Sequence, residues 1–286
     1  MTYSKADAHL HFFKPGYANT LPESCRRLQP DEITLYSALA QKHQIAQVLA
    51  VGYEGDAWAS GNNAYLAELA AQHAWVRPVA YQSNPGDLSI EALEQLAKQR
   101  FVGLSIYLFD DAIEASLSRV EDSVWQWLVE KRWLISVNSR GERWRAWQPV
   151  LTRHPELRLL VSHLGLPPAV AQPPSAAEAQ QALASVIELA RFPGTRVKLS
   201  GFYALTTPGY DYPHRAAWPY VEALLEAYGS ARLLWASDFS PSLEWLSFAQ
   251  TIALFDHMPF LDDTKRQQIT GENLLQLLTD IDNAAA

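Results

Sequence analysis

Residues 5–13 read "KADAHLHFF", and the placing of this stretch decides the fold. On an extended chain successive side chains point to opposite faces, so Asp7, His9 and His11 share one face of a strand. A strand whose shared face carries a carboxylate and two imidazoles needs an interior that can use them. The first strand of a closed barrel offers one, with the imidazoles near the mouth. A His-x-His pair alone can equally be an accident or a structural feature, so the rest of the chain has to discriminate.

Seven further runs of apolar, β-branched or aromatic residues follow: "IAQVLAVGY", "VRPVAYQ", "FVGLSIYLF", "WLISVNS", "LRLLVSHLG", "RVKLSGFY" and "RLLWASDF". Between them lie stretches with apolar residues at three- and four-residue spacing, such as "DEITLYSALAQKH", "NNAYLAELAAQHA" and "AWPYVEALLEAY", the pattern of amphipathic helices. Eight strand–helix alternations predict an α/β fold, a (β/α)8 TIM barrel, as one domain over residues 1–286, closed by an extra C-terminal helix in "DDTKRQQITGENLLQLL". An open doubly wound sheet is the rival, but no Gly-rich phosphate fingerprint follows any strand. In a barrel of this kind the active site lies at the C-terminal ends of the strands.

Composition sets limits on function. The 286 residues are 48% hydrophobic and 19% charged, as in an ordinary globular protein. A formal net charge of −8 argues against nucleic acid or an anionic membrane as partner. The single cysteine, Cys25, excludes an internal disulfide framework and fits a reducing cytoplasm. No leader-like segment precedes the first strand, and no apolar run approaches the roughly 20 residues of a membrane span. The expectation is a soluble cytoplasmic protein acting on a small molecule, with homo-oligomerisation left open.

Two later residues strengthen the His-x-His signal. His163 in "LLVSHLG" and Asp238 in "LLWASDFS" close apolar runs where a core position would favour Leu or Val. A buried, unpaired carboxylate costs several kcal/mol, by a rough rule, so Asp238 calls for a cation, a donor network or the open mouth. The alternative for Asp238 is a helix cap.

With "DAHLHFF", "VSHLG", "RVKLSGFY", "ARLLWASDFSP" and "KRQQITGENLLQLL" in this order, the chain resembles the amidohydrolase superfamily, in particular its lactonase-like branch of fuconolactonases and pyrone dicarboxylate lactonases. The resemblance implies that His9, His11, His163 and Asp238 are the pocket histidines and the general base. It implies one divalent metal, zinc by preference, on His9, His11, His163 and Asp238, although relatives of this branch also work without one. The chain departs from the wider pattern at Asn138, where many members carry a metal-binding histidine. It also has Ser105 and Ile106 where a bridging ligand or an arginine would stand.

The implied reaction opens a small sugar-acid, pyrone or muconolactone-type lactone. Asp238 and His163 are the expected catalytic residues, Asp238 as the base that deprotonates water. The imidazoles either hold the metal or donate to the carbonyl oxygen. Asn138, Arg140, Tyr203, His214, Arg215 and Tyr107 are the candidate substrate contacts, the arginines because a guanidinium grips a carboxylate at two points. Trp144 is a further candidate pocket wall, and the loop over 14–30 a candidate lid. The alternatives are a metal-dependent decarboxylase on the same scaffold and a catalytically silent binding barrel. Lys198 is expected to face the interior and to pair with a carboxylate such as Asp7.

Overall fold

The computed structural model describes residues 3–17 and 31–285. Eight parallel strands form one sheet in sequential order: β1 Lys5–Leu10, β2 Ile45–Val51, β3 Val76–Tyr81, β4 Gly103–Leu108, β5 Leu134–Ser139, β6 Arg158–Val161, β7 Arg196–Leu199 and β8 Leu233–Trp235. Helices fill the connections, as right-handed parallel crossovers require. The architecture is the TIM barrel that the alternating pattern predicts. The helix Asn273–Ala285 is the extra C-terminal element.

Several helices begin where the sequence supplies a side-chain acceptor for their free N–H groups. Asp31 caps Glu32–His43 through Thr34 N at 3.1 Å, and Asp110 caps Asp111–Leu117 through Ile113 N at 2.8 Å. Ser175 and Glu178 form a reciprocal capping box. Each such cap contributes about 1 kcal/mol. The apolar spacing of "SAAEAQQALASVIELA" (residues 175–190) predicts one long helix, but the segment is broken into shorter pieces, Ala176–Ala182 and Ala184–Glu188 followed by a 3-10 turn. Likewise "RWRAWQPVLTRH" opens as a 3-10 segment over Gly141–Trp147 before Gln148–Arg153 turns helical.

The last strands fall short of their sequence signal in a consistent way. The last three runs continue in sequence to Gly165, Tyr203 and Phe239, yet the ladder stops at Val161, Leu199 and Trp235. Beyond those points the backbone leaves the β region. His163 (φ 52°), Leu164 (φ 55°) and Asp238 (φ 55°) are all left-handed. Non-glycine residues in that region store strain and gather where function needs a particular side-chain aim.

The barrel closes through these peeled-away residues. Asp238 N donates to His9 O at 2.9 Å, His11 N donates to Phe239 O, and Leu10 pairs in parallel with Phe239. Lower down the seam a side chain replaces the backbone acceptor. The Oδ1 of Asp7 accepts from Ser237 N at 2.9 Å and from His9 N at 3.2 Å, while its Oδ2 accepts from Tyr36 Oη at 2.7 Å. Asp7 is fully buried, so these three donors are what make its burial tolerable. Lys198 is fully buried too and faces the interior as expected, but it does not pair with Asp7. Its Nζ donates to Ser136 Oγ at 2.6 Å and lies 3.3 Å from His9 Nδ1, because Asp7 is already engaged by the seam.

Trp144 is not a pocket wall. It is buried, with Nε1 donating to Gly165 O at 2.9 Å, and so ties the turn after β6 to the outer layer. Cys25 and most of the candidate lid lie outside the described residues.

Removing the Tyr36 hydroxyl leaves a buried carboxylate one donor short, whereas removing Asp7 orphans three donors at once. Tyr36→Phe is therefore expected to cost about 1.5–3 kcal/mol and Asp7→Ala more than that, measured by equilibrium urea unfolding. Equal costs would show that the seam does not depend on this carboxylate.

Candidate active site

The barrel brings His9, His11, His163 and Asp238 to one point at the C-terminal rim, all of them buried. His9 Nε2 lies 3.1 Å from His11 Nε2 and 3.8 Å from Asp238 Oδ1, and His163 Nδ1 lies 4.0 Å from Asp238 Oδ2. The His9 and His163 rings pack with centroids 4.7 Å apart. Residues separated by more than 200 positions in the chain meet because β1 and the extension of β8 share a seam.

Each group is held from behind. His11 Nδ1 donates to Val51 O at 2.7 Å. A carbonyl only accepts, so the proton is on Nδ1 and the Nε2 lone pair faces the site. His163 Nδ1 is 2.9 Å from Ser200 Oγ. Asp238 Oδ2 accepts from Tyr203 Oη at 2.6 Å, and Tyr203 in turn stacks on Trp245 at 6.4 Å. Burial lowers the pKa of all three imidazoles, that of His11 from 6.5 to about 4, and Asp238 opposes the shift at His11 and His163. Burial, followed by the Asp238 charge, raises the Tyr203 phenol, so it stays a donor. Burial lowers Lys198 from 10.5 to about 7, with Asp7 and Asp238 opposing.

His9, His11 and Asp238 each offer one ligand atom, all within 4.8 Å of one another. Two imidazole nitrogens and one carboxylate oxygen suit a borderline divalent cation with an open coordination position. The Val51 carbonyl behind His11 is the support such a ligand needs. The donor set therefore fits one cation. His163 stands beside this trio rather than in it.

A cavity of about 470 Å³ opens on this point. His11 and Tyr107 line it next to the polar cluster, and Phe13, Tyr53, Trp58 and Tyr81 form its wall. Tyr53 lies 4.8 Å from the Tyr107 ring and 5.6 Å from that of Tyr81, centroid to centroid. Tyr107 pairs with Asn138 across β4 and β5, and the buried Oδ1 of Asn138 has no hydrogen-bond partner among the described residues.

The other candidates lie elsewhere. Arg140 is exposed and lines a neighbouring hollow with Glu142, Arg143 and Leu166. Arg143 is paired with Asp111 at 2.7 Å and Glu114 at 2.9 Å. His214 is buried, with Nδ1 on Thr206 Oγ1 at 2.8 Å and its ring against Phe202. Arg215 is exposed, its guanidinium 5.5 Å from the Trp218 ring centroid. None of these three candidates touches the His9–Asp238 cluster.

Sequence reasoning passed over Ser200, Ser162 and, apart from Tyr107, the aromatic wall. The signal for the wall was present: the chain directly after β1 and β2 carries Phe13 and Tyr53, and β3 and β4 end in Tyr81 and Tyr107-Leu108. Glu32 was also missed. Its buried carboxylate accepts from Phe13 N at 2.7 Å, Tyr17 N at 2.8 Å and Ser240 Oγ at 2.7 Å, which pins the loop after β1 to the turn after β8.

The amidohydrolase family model matches residues 6–278, and the chain belongs to that family. It is 26% identical over 264 residues to an L-fucono-1,5-lactonase of Burkholderia ambifaria, covering 85% of this chain and 82% of that protein. Among solved structures it is similar to an amidohydrolase from Burkholderia multivorans with bound zinc (TM-score 0.76, 19% identity, 97% of this chain and 99% of that one). It is also similar to a probable 2-pyrone-4,6-dicarboxylic acid hydrolase from Acinetobacter baumannii with citric acid bound (TM-score 0.72, 16% identity, 97% and 100% covered). Among the described residues no helix is long and apolar enough to cross a membrane.

Two measurements check this geometry. A Cβ on Gly201 (φ 68°) would stand 2.9 Å from His163 Nδ1, so Gly201→Ala must push the imidazole off Ser200. The expected result is a loss of turnover far larger than the loss of stability, measured by rates and thermal unfolding on one preparation. For His11 the folded pKa is depressed below the unfolded value of 6.5 to about 4. The unfolded chain therefore binds the extra proton first, and stability present above 6.5 drains away as pH falls towards 4. Relative to His11→Asn, the metal-free protein should lose roughly 2–3 kcal/mol between about pH 7 and about pH 4.5.

Proposed function

We propose that this chain is a lactonase, a hydrolase that opens a small uncharged lactone by attack of water on the ester carbonyl. The observation that carries the reading is the convergence of Asp238 with three imidazoles beside a cavity walled by aromatic rings. The family membership, the lactonase relative and the pyrone hydrolase neighbour support a hydrolase of this kind.

Asp238 is the general base. Tyr203 occupies Oδ2, so Oδ1 keeps its lone pairs for the proton of the attacking water. Water oxygen bonds to the carbonyl carbon as Asp238 takes the proton. The ring C–O bond then breaks, and Asp238 returns the proton to the departing ring oxygen, giving the hydroxy acid. His163, fixed by Ser200, and His9 face the same spot and orient the carbonyl. A divalent cation, when bound by His9, His11 and Asp238, would polarise the ester carbonyl as a Lewis acid. Asn138 offers its unpartnered Oδ1 to a substrate hydroxyl, and its neighbour Tyr107 lines the cavity.

Charge decides between lactone classes. Among the described residues lining the aromatic cavity no Lys or Arg appears, and Asp110 is the charged group. A dicarboxylate would find no counter-cation among these described residues and would stand against that acid, a costly desolvation. A neutral ring can lie flat on Tyr53, Tyr81 and Trp58 and bury apolar surface there.

Asp238→Asn should lower kcat on the order of 10²–10⁴-fold while the circular dichroism spectrum stays that of the barrel. A near-normal rate would remove Asp238 from the base role. In pH-stat assays neutral aldonolactones should exceed pyrone dicarboxylates in kcat/KM by at least about tenfold, as one unpaired buried charge implies. The reverse order would refute the uncharged-substrate reading while leaving the lactonase reading in place.

A further inference from the structure

The barrel interior holds a group that the hydrolytic reading does not use. Lys198 is fully buried, its Nζ 2.6 Å from Ser136 Oγ and 3.3 Å from His9 Nδ1. An imidazole that binds a cation through one nitrogen carries its proton on the other, and that N–H normally rests on a carbonyl, a carboxylate or water. His11 is built in this way, with Nδ1 on the Val51 carbonyl. His9 is not. Its Nδ1 faces the Lys198 amino group and, at 3.4 Å, the Ser162 hydroxyl, with no carbonyl or carboxylate bonded to it among the described residues. Where a lysine N–H donates to Nδ1, the His9 proton sits on Nε2. That nitrogen lies 3.1 Å from the His11 Nε2 lone pair and 3.8 Å from Asp238 Oδ1.

We propose that Lys198 is a positioning residue that holds His9 in the Nε2–H form. His9 and His11 are thereby a donor–acceptor pair rather than two equivalent ligands. A divalent cation must displace the Nε2 proton and turn the Lys198 contact into a mismatch before His9 can ligate, so Lys198 weakens metal binding at this site. The inference concerns the His9 tautomer and metal affinity, and it stands whichever bond the enzyme breaks.

Long-range imidazole ¹H–¹⁵N correlation spectra of the full-length, metal-stripped protein test it directly, with the rings assigned through His9→Gln and His11→Gln. The expected pattern is Nε2–H for His9 and Nδ1–H for His11. A His9 signal of the Nδ1–H form would overturn the proposal. A second measurement is zinc affinity by competition with a chelating dye. Lys198→Met should bind zinc at least about tenfold more tightly than the wild type, and Lys198→Arg should stay close to it. Unchanged or weaker zinc binding by a folded Lys198→Met protein would equally overturn it, since a purely structural lysine predicts loss rather than gain. Should Lys198→Met fail to fold, the wild-type spectra decide alone.

Discussion

The hydrogen bond from Asp238 N to His9 O is the contact on which the molecule depends. It joins the last strand's extension to the first strand and so turns a sheet into a barrel. The same two residues present their side chains to the candidate site. A barrel has no edge strands to protect, but it must find a partner for the first and last backbones in the chain. Here that closure is made by residues whose side chains are too polar for an ordinary core layer. Closing the fold and assembling the site are therefore one event, and Asp7, which replaces a backbone carbonyl on this seam, serves both.

The shortness of β6, β7 and β8 follows from the same constraint. A ladder that continued through His163 and Asp238 would alternate their side chains in and out with the pleat. Left-handed backbone at His163 and Asp238 breaks that alternation and aims both inward. Such conformations cost of order 1–3 kcal/mol each, offset by the surrounding bonds: Ser200 and the absent Cβ of Gly201 for His163, Tyr203 and the seam for Asp238.

The strand count, their order and the four polar groups at the rim were all legible in the sequence. Apolar runs broken by His and Asp are rare enough to be informative, and period-two alternation puts His9 and His11 on one face. What was not legible came from outside that logic. His214 sits in a polar-looking loop, yet its ring is buried against Phe202 and bonded to Thr206, a contact eight residues upstream that no periodicity reveals. Arg143 stands in a polar stretch after β5, and only the fold shows Asp111 and Glu114 approaching it from the preceding strand–helix connection. The partner of Lys198 was misjudged because the pattern shows an interior lysine and an interior aspartate but not that Ser237 and Tyr36 already occupy the aspartate. Pairings across the barrel depend on register and stagger, which one sequence does not encode locally.

The mouth of the barrel divides its labour by strand. The chain at and just after the ends of β1 to β4 supplies Phe13, Tyr53, Tyr81 and Tyr107, a wall of rings with little charge. The chain beyond β6 to β8 supplies His163, Tyr203 and Asp238, a polar arc with its hydrogen bonds already satisfied from behind. β1 belongs to both halves, since His11 lines the aromatic cavity while His9 touches Asp238 and Lys198. The aromatic wall and the polar arc meet at β1. Because Glu32 fastens the start of the loop after β1 to the turn after β8, the two halves cannot separate without breaking a buried carboxylate's bonds. Binding surface and reacting groups are thus fixed relative to one another by the seam that closes the fold.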